Sequence, residues 1–138
     1  MKQKKLHIFQ MDIWRVHYEH RACKTFQKAK QQLITLKRRT GIDNWNVLCR
    51  WAFCLSLAEK AVPPHEDIIT DSSIEMTWKT FSGDQSEIYL AILKQRIHDD
   101  YNEHHENIDI NYLFKIHLHR GISYMINKVN SIDDIIEM

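Results

Sequence analysis

Between Trp45 and Glu59, eleven of fifteen side chains are apolar: Trp45, Val47, Leu48, Cys49, Trp51, Ala52, Phe53, Cys54, Leu55, Leu57 and Ala58. A helix on the surface of a globular protein keeps a polar face, and this one hardly has one, so it has to be buried nearly all round. Two coverings are open to a chain of 138 residues: its own later helices, or a copy of the same helix from another subunit. Self-association is the expectation. Three Gly and two Pro are too few for a turn-rich β-sandwich or a low-complexity chain. The composition therefore points to a mainly α protein of one domain, assembled into an oligomer.

The helices around that segment follow from local signals. Residues 1–20 show no clear period and form an N-terminal arm of unknown order. Arg21 to Phe26 alternates like a short strand, and Lys28 to Thr40 has helical spacing, with Ala29, Leu33 and Leu36 inward and Ile34 beside them. Gly41 suits a left-handed helix end, and Asp43 can cap the next helix, Asn44 to Glu59. Residues 21–60 thus form a strand-helix-turn-helix unit. Pro63 and Pro64 break the pattern, and residues 61–138 form the acidic helical remainder of the same domain. There Ile74, Met76 and Trp78 alternate as in a short strand or docking loop. A helix over 86–102 turns Ile88, Ala91, Ile92, Leu93 and Ile97 inward. A polar connection spans 103–107, and a helix from Asp109 to Asn127 has the stripe Ile110, Leu113, Phe114, Leu118, Ile122 and Met125. Ser131 and the acids after it start a short final helix.

Charge is divided along the chain. Residues 1–50 carry twelve Lys or Arg against three acids, a net of +9, whereas residues 51–138 sum to −8. Such asymmetry is what a chain facing a polyanion shows; the plainer reading is a basic half that neutralises an acidic half within one fold. Lys24, Lys28, Lys30, Lys37, Arg38, Arg39 and Arg50 crowd the strand-helix-helix unit, and phosphate neutralisation by such groups supplies much of nucleic-acid affinity. Base readers are few, since only Arg21, Thr25 and Asn46 are placed for the task. Backbone or shape recognition is favoured over a sequence code.

Chemistry of other kinds finds little support. His117 and His119 are two apart on a helix and diverge by about 200°, so they cannot share an ion. His104-His105 could join His98 or Asp99 only through loop geometry. Cys49 and Cys54 lack the two-residue gap of a zinc ribbon, and no metal or cofactor is expected. There is no Walker glycine loop, dinucleotide fingerprint or serine-triad order, and adjacent acids such as Asp99-Asp100 diverge on a helix. The chain is expected not to be an enzyme. No run of 18 apolar residues is long enough to span a bilayer. The basic opening Met1-Lys-Gln-Lys-Lys lacks the apolar stretch of a secretory signal, and an odd count of three cysteines fits reduced thiols in a cytoplasm.

The unit from Ala22 to Glu59 resembles a ribbon-helix-helix. More specifically, LITLKRRTGIDNWNVLCRWAFCLSL (Leu33 to Leu57), PPHEDI (Pro63 to Ile68) and IHLHRGISY (Ile116 to Tyr124) closely resemble the DndE family of bacterial DNA sulfur modification proteins. The resemblance covers most of residues 24–138 and none of the first twenty. It implies a ribbon-helix-helix variant that forms tetramers in the system replacing a non-bridging phosphate oxygen of DNA with sulfur. It also implies a non-catalytic subunit that binds nicked duplex DNA through surface lysines and works beside other proteins of the system. The cations on the matching segment are Lys24, Lys28, Lys30, Lys37, Arg38 and Arg39, and the electrostatic role carries over to them as a group. Cys23 and Thr25 are poor base readers beside the polar strand residues of sequence-specific ribbon-helix-helix repressors, which disfavours operator-type reading. Two other classes stay open: a ribbon-helix-helix transcription regulator, tight on one palindrome, and a protein-docking subunit whose acidic half holds partners. A histidine-metal nuclease would cleave strands with added divalent metal.

Overall fold

The computed structural model describes residues 22–24, 27–65, 75–101 and 108–138. The chain runs through strand β1 (Ala22–Lys24), helices α1 (Gln27–Thr40) and α2 (Trp45–Ala58), strand β2 (Glu75–Thr77), short helix α3 (Trp78–Ser82), a 3-10 turn (Gly83–Gln85), and helices α4 (Ser86–Tyr101), α5 (Ile110–Lys128) and α6 (Ile132–Ile136). The fold is mainly helical. The 1–20 arm, Arg21, Thr25, Phe26, Glu66 to Ile74 and the 103–107 connection lie outside the described residues.

Strand, helix, turn and helix follow one another along the chain, and the strand pairs within the same chain. β1 pairs antiparallel with β2, with Ala22 opposite Thr77, Cys23 opposite Met76 and Lys24 opposite Glu75. Trp78, expected to continue the alternation, instead opens α3. Gly41 ends α1 at φ +73°, where its amide donates to the Lys37 carbonyl at 2.9 Å. The cap of α2 differs from expectation. Asn44, not Asp43, holds the extended cap position, and the Asp43 carboxylate faces Lys37 instead, 3.8 Å from Nζ. The turn after Gly41 is one residue longer than an Asp43 cap allows.

The core is built where α2 crosses α5. Leu48, Cys49, Ala52, Phe53 and Ser56 of α2 are buried, as are Leu113, Phe114, His117, Leu118, Gly121, Ile122 and Met125 of α5. Phe53 lies 5.4 Å from Phe81 and 5.2 Å from Phe114 between ring centroids, and Trp78 closes the cluster from α3. The crossing is close enough that a Cβ on Gly121 would stand 1.7 Å from the Ala52 carbonyl oxygen.

Within one chain the expected burial of α2 is met in part, and the expected inner face of α4 needs correction. The apolar helix α2 is covered on one side only. Trp51 is 42% exposed, Cys54 and Ala58 are exposed and Val47 is half-buried, so an apolar stripe at i, i+4, i+7 and i+11 faces outward. The chain's own later helices supply one half of the covering and leave the other half open. On α4, Leu93 and Ile97 face inward as expected, but Ile88 (55% exposed), Ala91 and Ile92 face out. Arg96 sets this rotation. It grips Asp100 through Nε, donates to the Leu57 carbonyl at 2.8 Å, and reaches the Lys60 and Ala61 carbonyls at 3.2 and 3.0 Å. One stripe of α4 is thereby locked toward the end of α2.

Candidate nucleic-acid interface

Helix α1 carries five Lys or Arg residues and no acid in fourteen positions. It forms because Ala29, Leu33, Leu36 and Thr40 line one buried side, spaced three and four apart. The cations all lie on the remaining circumference. Lys28, Lys37, Arg38 and Arg39 are exposed and Lys30 is half-buried.

These cations do not share one face. At 100° per residue, Lys30 and Lys37 lie about 20° apart on one flank, whereas Lys28 and Lys37 lie about 180° apart, with Arg38 between them on the outer side. Lys37 is held near Asp43 at 3.8 Å, an exposed pair of small energetic weight. Arg39 is committed to the fold: Nη1 donates to the Ile126 carbonyl at 2.8 Å and to the Val129 carbonyl at 3.2 Å. Those are among the carbonyls that the end of α5 leaves without partners. Lys24 belongs to β1, opposite Glu75.

Arg50, counted among the crowded cations in the sequence, is likewise spent within the molecule. Its Nε donates to the Phe81 carbonyl and its Nη2 to the Thr80 carbonyl at 3.3 Å. Asn46, a candidate base reader, donates from Nδ2 to the same Thr80 carbonyl at 3.3 Å. The other two readers, Arg21 and Thr25, lie outside the described residues. The cations of α1 left facing solvent are therefore suited to phosphates, which line both walls of a groove and accept cations from either flank of a helix.

A buried polar cluster went unnoticed in the sequence. Ser56 is fully buried and His117 is 2% exposed. The Ser56 hydroxyl lies 3.0 Å from His117 Nδ1 and accepts from Arg120 Nε at 2.8 Å. Arg120 also donates to the Ser56 carbonyl at 2.7 Å and the Ala61 carbonyl at 2.6 Å. Burial, with the nearby Arg120 and Arg96 charges, lowers the His117 pKa to about 4, so the imidazole is neutral and shares one hydrogen bond with the Ser56 hydroxyl through Nδ1. With both groups shut off from solvent, the cluster ties α2 to α5. Its one signal in the sequence is a serine and a histidine on otherwise apolar stripes. Among the described residues, no group of three or more His, Cys, Asp or Glu could hold a metal ion; His104 and His105 lie outside them. No described helix is long and apolar enough to cross a membrane.

The fold and the surface together define a small, mainly helical protein that opens with a strand-helix-helix unit and turns an acid-free cationic helix to solvent. The family model of the DNA sulphur modification protein DndE matches residues 23–133, and the chain belongs to the DndE family. Among solved structures, the crystal structure of DndE from Escherichia coli B7A, involved in DNA phosphorothioation modification, is similar at TM-score 0.61 and 19% identity, covering 76% of this chain and 95% of that one. A glycine-to-lysine DndE mutant, likewise involved in DNA phosphorothioation, is similar at TM-score 0.57 and 19% identity, covering 78% and 97%. No curated relative matches the chain.

Proposed function

We propose that the protein is a non-catalytic DNA-binding component of a bacterial DNA phosphorothioate modification system, acting in the cytoplasm. It holds the duplex backbone, with preference for nicks, through the cations of α1 in a ribbon-helix-helix-like oligomer. Membership of the DndE family supports the system. The single observation that carries DNA binding is α1 itself, which holds no acid in fourteen positions and leaves Lys28, Lys37 and Arg38 exposed. Lys28, Lys37 and Arg38 are the cations the fold leaves most open, with Lys30 beside Lys37 and Lys24 at the ribbon. The open stripe of Val47, Trp51, Cys54 and Ala58 supports self-association, since a second copy laid along it would bury a Trp and complete the covering that α2 lacks. Assembly to a tetramer then repeats α1 several times, and multivalency raises affinity without new contacts per subunit. A nick is a point of easy bending, so an assembly that curves the duplex meets a lower deformation cost there.

A second reading has one observation in its favour. The outward Ile88, Ala91 and Ile92 of α4 suit a subunit that docks other proteins of the modification system. Reversing charge at Lys28, Lys30 and Lys37 separates the two: duplex binding is lost while co-purification with partner proteins persists. Loss of neither would sink the DNA reading. A regulator of the ribbon-helix-helix class would instead bind one palindrome far more tightly than random duplex.

A further inference from the structure

Helix α4 leaves an apolar stripe open to solvent. Ile88, Ala91, Ile92, Gln95 and Asp99 are exposed along it, at steps of three and four that place them on one side. Asp99 accepts from Gln95 Nε2 at 2.8 Å, and Asp84 is exposed in the turn before the helix. The apolar middle therefore lies between acids near the two ends. The stripe cannot turn inward, because Leu93 and Ile97 are buried on the other side and Arg96 holds the Leu57 carbonyl.

Residues 1–21 have the opposite character. Ile8, Phe9, Ile13 and Trp14 stand among Lys2, Lys4, Lys5, Arg15 and Arg21, against the two acids Asp12 and Glu19. Apolar groups set among cations complement apolar groups set among acids. Position agrees with chemistry. The arm joins the fold at Ala22, opposite Thr77 in an antiparallel pair, which is the end of β2 where α3 begins. From there α3, the 3-10 turn and the first residues of α4 lead to Ile88, a distance of at most about 25 Å by their rise per residue. Trp14 stands eight residues before Ala22, and eight extended residues span about 26 Å. Phe9, five residues earlier, has length to spare for Ile92.

The other open apolar faces suit the arm less. α2 holds no acid between Trp45 and Ala58 and contains Arg50. α6 is acidic but five residues long, with only Ile132 and Ile136 facing out. The match to the DndE family begins at residue 23, so the arm lies outside the shared part of the fold.

We infer that residues 1–21 lie along α4 of the same chain, with Ile8, Phe9, Ile13 and Trp14 over Ile88, Ala91 and Ile92 and the arm's cations toward Asp84 and Asp99. The arm is an intramolecular cover, and other proteins reach this face only by displacing it. The assignment is independent of the DNA reading, which concerns α1.

The test uses the full chain. Brief trypsin digestion follows the cut after Arg15, and a carbodiimide joins lysines to carboxylates that touch. Wild-type protein is expected to link Lys4 or Lys5 to Asp84 or Asp99. Ile88→Asp with Ile92→Asp removes those links and speeds the cut about tenfold, because cleavage follows the population of the released arm. Phe9→Asp with Trp14→Asp does the same from the arm's side and leaves α4 as it is. In protein assembled from equal amounts of nitrogen-15-labelled and unlabelled chains, the links join like isotopes. No links with an unchanged rate of cutting in either variant would overturn the inference. So would links between unlike isotopes, which place the arm on a second copy, or release of the arm by Ile136→Asp instead, which places it on α6.

Discussion

At Gly121 the need for glycine is one of space. Its helical backbone is ordinary, but a Cβ would meet the Ala52 carbonyl at 1.7 Å, backbone against backbone, where no side chain can swing aside. Gly121→Ala forces α2 and α5 apart and is expected to lower stability by about 3 kcal/mol or more, read as a drop in the urea midpoint. At Gly41 nothing lies within 4 Å and the positive φ alone disfavours a side chain, so alanine there costs only about 1 kcal/mol. His117 gives the other residue-scale test. In the fold its pKa is held at about 4, below the ordinary 6.5, so the native state keeps it neutral. The unfolded chain protonates below 6.5, and the stability this group contributes is complete above that value. It falls as pH drops from 6.5 toward 4, by at most about 3 kcal/mol. His117→Gln is expected to remove that part of the acid sensitivity in pH-dependent melting; an unaltered profile would show that the imidazole is not held neutral.

At the scale of elements, several helices end on arginines. Arg39 reaches the end of α5 across 87 positions of sequence, Arg50 the end of α3, and Arg96 and Arg120 the end of α2 and the segment after it. This decides which basic residues remain available to the proposed binding surface. Arg38→Gln is expected to weaken duplex binding with no change in melting temperature. Arg39→Gln strips the carbonyls of α5 of a charged donor and costs about 1–2 kcal/mol of stability. Denaturant midpoints beside duplex titrations separate the two; equal effects on binding and stability from both would refute the division. Neighbours in sequence, the two arginines look alike, because their roles depend on a helix end that only the tertiary fold delivers. The helices themselves were legible, since period and a glycine stop are local: Ala29, Leu33 and Leu36 marked the inner side of α1, and the stripe of α5 is buried throughout. Ile88 and Ile92 were misassigned because α4 has apolar residues on two sides, and the Arg96 clamp chooses between them. The Ser56–His117 link was invisible for the same reason as Arg39, being 61 positions apart.

For the whole molecule, the division of charge along the chain becomes a division of labour in space. α1 turns bases and no acids to solvent, while the acidic remainder supplies the helices that hold α2. The +9 of the first fifty residues is thus not fully available: Arg39 and Arg50 serve carbonyls, and Lys37 is shared with Asp43. What is left on α1 is a modest set per subunit, so on the proposed reading useful affinity for a duplex would require assembly through the open stripe of α2. If two copies engage through Lys28, Lys37 and Arg38 each, about six phosphates are neutralised, and the logarithm of the binding constant falls with the logarithm of salt at a slope of about −5. The most direct measurement is that slope, taken for nicked and intact duplexes of random sequence under the same conditions. The account predicts a steep slope for both with tighter binding to the nicked duplex; affinity that ignores salt, or that appears only on one particular sequence, would contradict it.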